Sequence, residues 1–286
     1  MSTVSSTQPP HLHFLGTGAA DWPWHSPPSP LPTAPGDWRR STMTLIDDRI
    51  LVDAGPSLPD AMATFAVAAE GITDLLLTHT HIDHYDPTSV EMLLAHRSTS
   101  TPLRIWSPDA AAPFALAPTC QVERVRPGER FSCGAYHVTA LAANHHRVGG
   151  TTLHYLFVGR GTRWLYALDG GWLPCATWYA LHDATVHGAG PLDALVIDAT
   201  IGDIPDDYRI FQHNALPMIR MMVASLRREG MLAPTAPVVL THLARTLHGS
   251  QGEIEALVTG DGPIPGAVVS YDGLALNLSP ASRSSS

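Results

Sequence analysis

The sequence contains no lysine, so all 17 of its Lys and Arg residues are arginine. Schiff-base chemistry, including that of pyridoxal phosphate, needs a lysine amine, and a Walker-type phosphate loop needs a lysine as well. These chemistries are therefore excluded. Cysteine is also scarce, with only Cys120, Cys133 and Cys175 and no Cys-x-x-Cys spacing. This argues against a disulfide framework or a cysteine zinc site and favours a reducing compartment.

Long apolar segments are missing too. No run approaches the roughly 20 apolar residues that a membrane-spanning helix needs. The first residues, MSTVSSTQPP, have neither the basic start nor the apolar segment of a secretory signal. We therefore expect a cytoplasmic protein without a membrane partner. The 17 cationic and 26 acidic side chains give a net charge of −9, which disfavours nucleic acid as a partner because its binding needs many cationic contacts.

Short apolar segments typical of buried strands alternate with helical segments along the chain. A hairpin is predicted from Met43–Ile46 and Ile50–Asp53, and the segment DLLLT predicts a buried strand at Asp74–Thr78. Further strands are predicted at Leu103–Trp106, Tyr136–Leu141, Leu153–Val158, Trp164–Ala167, Ala194–Ile197 and Val238–Leu240, and helices at Leu58–Ala69, Val90–Ala95, Asp109–Leu116 and about Ala215–Arg228. No linker divides the chain, so we predict a single α/β domain over residues 1–286.

Two kinds of segment depart from this pattern. The stretch Trp22–Trp38 holds six prolines and follows the strand-like HLHFLGTG, so we predict a long irregular loop there. Residues 1–10 and 279–286 are rich in small polar residues, and we predict that both are disordered tails.

Histidine is abundant, with 16 residues, and its densest cluster is Thr-His-Thr-His-Ile-Asp-His at positions 78–84. A polar turn with accidental histidines is the alternative to a metal site here. Four potential ligands directly after a buried strand favour the metal site, because they can point into one small volume. Imidazole and carboxylate suit zinc, iron or manganese, and such mixed sites can hold two ions. The four candidates are His79, His81, Asp83 and His84.

The pattern His-x-His-x-Asp-His resembles that of the metallo-β-lactamase-fold hydrolases, and the resemblance extends from about His11 to Leu278. It implies an α/β fold built as a four-layer αββα sandwich. It also implies two divalent transition-metal ions as cofactors, with zinc expected first and manganese or iron as alternatives. By position, His79 and His81 bind one ion, while Asp83 and His84 bind the other.

The same resemblance implies three more ligands at later strand ends. The segment Ala-Asn-His-His offers His145, with His146 as the alternative. Asp169, in Tyr-Ala-Leu-Asp-Gly-Gly, would bridge the two ions, and His242 follows Val-Val-Leu-Thr. The resemblance also implies that Asp53, in Val-Asp-Ala-Gly, would orient the ligands. The alternative role for Asp53 is to cap a turn.

A second motif resembles one found in tRNase Z and related phosphodiesterases. In these enzymes a carboxylate in a Glu-Ala-Thr-like motif pairs with a downstream histidine that protonates the leaving oxygen. Asp198-Ala199-Thr200 followed by His213 matches this order, so His213 would be the general acid and Asp198 its orienting partner, with Asp83 as a further catalytic residue. A strand-end cap is the alternative for Asp198. The phosphoribosyl cyclic phosphodiesterases share the overall pattern, but they carry an early cysteine-rich zinc knuckle, which this chain lacks.

These motifs predict a metal-dependent hydrolase of a small anionic phosphodiester, cyclic ones included, in which a metal-bridging hydroxide attacks phosphorus. Arg39, Arg40 and Arg245 are candidates to bind phosphate, and Trp22–Trp38 would be the active-site loop. A lactone or thioester hydrolase is the alternative, with Tyr85 or Tyr208 stabilising the oxyanion. A non-enzymatic metal sensor is the third hypothesis. The sequence does not determine the oligomeric state, and a homodimer is one alternative.

Overall fold

The structure is a computed structural model, and it describes residues 8–109, 119–146, 150–259 and 264–281. Two mixed sheets of seven strands each form its centre. In chain order the strands are β1 (His11–Gly16), β2 (Met43–Ile46), β3 (Ile50–Val52), β4 (Asp74–Leu76), β5 (Leu103–Ser107), β6 (Cys120–Arg124), β7 (Arg130–Cys133), β8 (Tyr136–Ala142), β9 (Leu153–Gly159), β10 (Thr162–Ala167), β11 (Ala194–Asp198), β12 (Val238–Thr241), β13 (Ala267–Val269) and β14 (Ala275–Asn277). The α-helices are α1 (Leu58–Thr64), α2 (Pro87–Ala95), α3 (Cys175–Ala184), α4 (Leu216–Arg228) and α5 (Gln251–Thr259).

The two sheets share one pattern of strand direction. The first has the order β14-β1-β2-β3-β4-β5-β6, and the second has the order β13-β12-β11-β10-β9-β8-β7. In the first sheet the pairings from β14 to β3 are antiparallel and those from β3 to β6 are parallel. In the second sheet the pairings from β7 to β10 are antiparallel and those from β10 to β13 are parallel. Each sheet therefore has a parallel half, whose strands end along the same edge.

The predicted hairpin of β2 and β3 is confirmed, with Ile46 opposite Ile50 in the register. Its turn places Asp47 and Asp48 at φ 52° and 56°, the left-handed pair that suits the twist of a tight hairpin. The strand was predicted to end at Asp53, but β3 ends at Val52. Asp53 lies just beyond it and has a positive φ of 64°.

Three hydrophobic clusters separate four layers. Between the sheets lie the fully buried rings of Tyr155, Phe157, Trp164 and Tyr166. The outer face of the first sheet packs against apolar residues of α1 and α2. The outer face of the second sheet packs against residues of α3, α4 and α5. The predicted αββα sandwich is therefore confirmed.

Several element bounds differ from the prediction. Helix α1 ends at Thr64 rather than at Ala69, because Ala66 adopts a left-handed φ of 52° that a continuing helix does not allow. Helices α3 and α5 and strands β6, β7, β13 and β14 were not predicted. The helix predicted at Asp109–Leu116 lies outside the described residues except for Asp109.

The predicted tails are partly held in place. The carbonyl of Pro10 accepts a hydrogen bond from the Leu278 amide at 2.9 Å, and the Ala281 amide donates to Asp193 at 2.8 Å. Both predicted tails therefore include residues whose backbone groups have partners in the fold, while 1–7 and 282–286 lie outside the described part of the chain. Within the described ranges we find no helix whose length and apolar character would suit a membrane span.

Candidate metal centre

All seven predicted ligands lie at carboxyl ends of strands, where the two sheets meet. The first sheet contributes the residues after β4, and the second contributes those after β8, β10 and β12. The carboxyl ends of parallel strands are where open α/β sheets commonly place functional side chains. The residues brought together are His79, His81, Asp83, His84, His145, Asp169 and His242.

The first group of donor atoms comes from three histidines and Asp169. Nδ1 of His81 lies 2.9 Å from Nε2 of His79 and 3.2 Å from Nε2 of His145. Oδ2 of Asp169 lies 3.3 Å from Nε2 of His79 and 3.5 Å from Nε2 of His145. His146, the alternative left open by the sequence, is exposed, so the structure brings His145 into the group.

The second group shares Asp169 with the first. Nε2 of His84 lies 3.3 Å from Oδ2 of Asp83 and 3.2 Å from Nε2 of His242. Asp169 reaches both histidines, with Oδ2 at 3.2 Å from His84 and Oδ1 at 3.0 Å from His242. One carboxylate thus touches both groups, which is the geometry that a bridging ligand needs.

These distances fit two divalent ions. Tetrahedral zinc with bonds to nitrogen of about 2.0–2.1 Å requires neighbouring donors about 3.3 Å apart. The contacts between neighbouring donors, from 2.9 to 3.5 Å, scatter about that value, and all donor atoms of a group lie within 4.8 Å of one another. In addition, Oδ1 of Asp169 is buried and, although Nε2 of His242 lies 3.0 Å away, it accepts no hydrogen bond from the described residues. A metal bond would satisfy this oxygen.

The electrostatics of the site also favour positive charge. Burial would raise the pKa of Asp169, but the charges of His242, His84 and His145 hold it well below its usual range. Burial lowers the pKa of His84, yet the charges of Asp169, Asp83 and Asp53 raise it well above its ordinary value. A divalent ion would supply the positive charge that these carboxylates stabilise.

Asp53 contacts one of the candidate ligands. Its Oδ2 lies 2.8 Å from Nδ1 of His84, which leaves Nε2 of that ring for the second group. The carboxylate is fully buried and also accepts from the amide and the hydroxyl of Thr78. Gly55 permits the approach of this segment, since a Cβ there would lie 2.1 Å from the Asp83 carbonyl oxygen. Such partners fix the tautomer and orientation of a metal-binding histidine.

Three of the seven described non-glycine residues with a positive φ lie at the same place. Asp53, Asp169 and His242 have φ of 64°, 47° and 60°, a left-handed conformation that side chains other than glycine rarely adopt. Each follows the end of a parallel strand, where the chain must turn sharply to aim its side chain inward. Such outliers cluster at functional sites.

His213 and Asp198 form a hydrogen-bonded pair beside the two groups. Nδ1 of His213 lies 2.7 Å from Oδ2 of Asp198. Burial lowers the pKa of His213, but the charge and hydrogen bond of Asp198 outweigh this and raise it to about 9. Thr200 connects the pair to the second group, because its hydroxyl donates to Asp198 at 2.7 Å and lies 2.7 Å from Nδ1 of His242.

Asp198 and His213 also lie near enough to Asp169 and His242 to form a third set of donors. Both carboxylate oxygens of Asp198 are, however, already engaged. Oδ1 accepts from Thr200, and Oδ2 accepts from the Gly170 amide besides contacting His213. The pair is therefore better arranged for moving a proton than for holding an ion.

A cavity of about 240 Å³ opens over these side chains. Ala19 and Asp21 lie along its lining, as do Arg209 and His213. Neither Arg209 nor Asp21 was predicted from the sequence, because neither belongs to a motif. The Trp22–Trp38 loop begins directly after Asp21, and the Trp22 indole donates to the Leu243 carbonyl at 2.9 Å, next to His242.

The arginines expected to bind phosphate have other partners. Arg39 is buried and donates to Thr17 and to the Ser270 carbonyl, both through Nη1. Arg40 is buried against Asp60 and Asp272. Arg245 lies over Asp21, donating from its backbone amide at 2.7 Å. The expectation for Arg39 and Arg40 is therefore wrong, because ion pairs and hydrogen bonds inside the fold occupy their guanidinium groups.

The two tyrosines of the alternative hypothesis are also placed elsewhere. Tyr85 is buried in the apolar layer between the first sheet and its helices. The side chain of Tyr208 is 78% exposed, and the neighbouring Arg209 lines the cavity. Neither ring lies among the cavity-lining residues of the described chain.

Comparison with known proteins agrees with this geometry. A family model described as a beta-lactamase superfamily domain matches residues 48–242, more than half of the chain. No curated protein matches the sequence.

Solved structures with the same fold cover nearly all of the chain. The metallo-beta-lactamase fold protein YhfI from Bacillus subtilis is 14% identical, with a TM-score of 0.68, over 94% of this chain and 99% of its own. A diphosphatase from the PhnP family is 17% identical, with a TM-score of 0.64, over 93% of this chain and 96% of its own. Human tRNase Z, short form, is 17% identical, with a TM-score of 0.64, over 94% of this chain and 99% of its own. The two packed sheets, the donor groups at their shared edge and the family match lead to one conclusion: the chain belongs to the beta-lactamase superfamily of metal-dependent hydrolases and has the metallo-β-lactamase fold.

Proposed function

We propose that this protein is a phosphodiesterase that uses two divalent metal ions and acts on a small anionic phosphodiester, cyclic or linear. The observation that carries the proposal is the pair of His213 and Asp198, which lies beside two groups of metal donors in one cavity. A phosphodiesterase needs a proton donor for the leaving alkoxide, and a cavity-facing histidine held by a carboxylate is suited to that task.

The ligands divide between the two ions. His79, His81 and His145 would hold one ion, Asp83, His84 and His242 would hold the other, and Asp169 would contact both. Bound divalent ions make water more acidic and stabilise negative charge on phosphoryl oxygens. Zinc is the first expectation for an all-nitrogen-and-carboxylate set of this size, and manganese or iron are the alternatives.

His213 would complete the reaction. Its Nδ1 is occupied by Asp198, which leaves Nε2 for the substrate. The oxygen of water forms a bond to phosphorus while the bond from phosphorus to the leaving oxygen breaks. His213 gives its proton to that oxygen. A linear diester then yields a phosphomonoester and an alcohol, whereas a cyclic diester yields one phosphomonoester that carries the freed hydroxyl. The proton released by water reaches solvent, and His213 regains a proton before the next turnover.

The structural neighbours support a reaction at phosphorus. They include a diphosphatase and a tRNase, which are proteins that act at phosphorus. Fold similarity alone leaves the substrate open, so the proposal rests on the cavity. The lactone or thioester alternative has no comparable support, because Tyr85 lies in the core and Tyr208 projects outward.

A comparison of leaving groups tests the general acid. Bis-p-nitrophenyl phosphate releases a stable anion that needs little protonation, whereas a cyclic nucleotide releases an alkoxide. We expect His213→Ala to lower kcat by about 10²–10⁴-fold for the cyclic nucleotide and much less for the nitrophenyl ester. His146→Ala, which removes an exposed histidine, is the control and should change neither rate.

Two outcomes would contradict the proposal. Equal losses on both esters would show that His213 does not protonate the leaving oxygen. Lactone turnover without turnover of either phosphodiester, in metal-loaded protein, would favour the alternative function.

A further inference from the structure

Arg209 is a cationic side chain in the wall of the cavity. It lies in a 3₁₀ turn, Tyr208–Phe211, four residues before His213 in the sequence. Among the cavity-lining residues in the described chain, it is the only arginine, and the sequence has no lysine. Arg209 belongs to none of the motifs described in the sequence.

Asp207 holds the guanidinium in a fixed orientation. Nε donates to Oδ1 of Asp207 at 2.8 Å, and Nη2 donates to Oδ2 at 2.6 Å. The same carboxylate also accepts from the Arg209 backbone amide at 2.8 Å. Nη1 has no hydrogen bond to a described residue, so both of its N–H groups remain for a ligand. A guanidinium fixed in this way loses little entropy when it binds an anion.

The acidic group nearby does not compete for these donors. Asp21 also lines the cavity, but its carboxylate accepts from the amide of Arg245 and from the amide and hydroxyl of Thr246. Its hydrogen bonds are therefore made to Arg245 and Thr246 and not to Arg209, on which Asp21 acts through its charge alone. The Arg209 side chain is one third exposed, which is consistent with access from the cavity.

The charge balance of the site gives Arg209 a role. Four buried carboxylates, Asp53, Asp83, Asp169 and Asp198, carry about four negative charges. Two divalent ions would only neutralise them, and protonated His213 would add a single positive charge beside the centre. Donors at the cavity wall would therefore strengthen the attraction for an anionic substrate.

We propose that Arg209, oriented by Asp207, recognises the negative charge of the substrate and selects anionic phosphodiesters over neutral esters. The inference rests on the proposed function for the reaction, but anion binding is measured without turnover.

The test uses the metal-loaded full-length protein with inorganic phosphate as the probe. We expect Arg209→Gln to weaken phosphate binding, measured by calorimetry, by about 10–100-fold, the loss typical of a charged hydrogen bond. Arg209→Lys keeps the charge but not the planar fork and should restore only part of the affinity. Arg220→Gln is the matched control, because Arg220 pairs with Asp203 outside the cavity lining. It should bind phosphate within about twofold of wild type.

Kinetics separate recognition from a general structural effect. Arg209→Gln should raise KM for bis-p-nitrophenyl phosphate while leaving turnover of the neutral p-nitrophenyl acetate unchanged. Metal content and Tm are measured on each variant. If Arg209→Gln and Arg209→Lys both bind phosphate as tightly as wild type, the inference is wrong. If wild type hydrolyses no phosphodiester but its phosphate binding still depends on Arg209, the proposed function fails and the inference stands.

Discussion

His154 should make the stability of this protein depend on pH in a way that one substitution removes. The side chain lies on β9, is fully buried, and neither ring nitrogen has a hydrogen-bond partner in the described part of the chain. It packs against Gly170, where a Cβ would come within 2.7 Å of its Nε2. Burial lowers its pKa to about 4, although Asp198 and Asp169 act in the opposite direction.

The sign of the effect follows from the direction of this shift. In the unfolded chain a histidine has a pKa of about 6.5, so below that pH the unfolded state binds a proton that folded His154 rejects. Acid therefore favours unfolding, and the stability present above pH 6.5 is lost as the pH falls towards 4. With these two pKa values, the loss attributable to His154 is close to zero at pH 7.5 and about 2 kcal/mol at pH 5.

Urea unfolding of wild type and His154→Leu at pH 7.5 and pH 5 measures this difference. Leucine fills a similar volume and cannot titrate, so at pH 7.5 we expect the two proteins to differ by less than about 1.5 kcal/mol. Between pH 7.5 and pH 5 the variant should lose about 2 kcal/mol less than wild type does. The other buried histidines titrate in both proteins, and the comparison cancels their contribution.

The control is His137→Leu, because His137 is an exposed histidine on the neighbouring strand β8. It should show the acid sensitivity of wild type. Equal acid-induced losses in wild type and His154→Leu would refute the reasoning, since they would mean that His154 is protonated, or finds a partner, in the folded state.

Three further predictions concern the metal centre. His145→Ala should lower the metal content measured by mass spectrometry from about two ions per chain towards one, whereas His146→Ala should retain both; the reverse result would exchange the two assignments. Asp53→Asn should weaken zinc affinity in equilibrium dialysis by about 10–100-fold, because the partner that orients His84 is lost. Unchanged affinity would mean that Asp53 serves the turn alone. Thr200→Val should weaken zinc binding about tenfold by removing the hydroxyl beside Nδ1 of a metal-binding ring, and a variant that bound zinc normally but lost activity would place Thr200 with the general acid instead.

The strands predicted best from the sequence are those with a continuous apolar run. Such runs, ended by turn residues, identified Trp164–Ala167 and Ala194–Ile197, which agree with β10 and β11 to within two residues. Strand β6, with the sequence CQVER, is largely exposed and carries charged residues, so its local pattern does not favour a strand. The segment is a strand because it pairs with β5 in the parallel direction. Strand propensity depends on such neighbours, which local sequence does not contain.

The metal donors were predictable because each follows a strand end and most fall in one short motif. The choice between His145 and His146 was not predictable from the sequence in the same way. Adjacent residues share the same local sequence, and only the fold determines which of the two side chains faces the site. The arginines show the same limit more clearly. The carboxylate of Asp272 that holds Arg40 lies 232 residues away in the chain. No local pattern indicates that such a guanidinium is already engaged.

The geometry of the site is a consequence of how the two sheets are built. Parallel strands from both sheets end at one edge, and three residues beyond those ends take up left-handed backbone, at a cost of roughly 1–2 kcal/mol each. Hydrogen bonds from fixed elements offset this cost. The Ala54 amide next to Asp53 donates to the His84 carbonyl at 2.7 Å, and the Leu243 amide next to His242 donates to the Thr17 carbonyl at 2.9 Å. Because backbone contacts across the fold hold these turns, the donor atoms are arranged by the protein itself, and a metal ion entering the site needs to order few side chains before it binds.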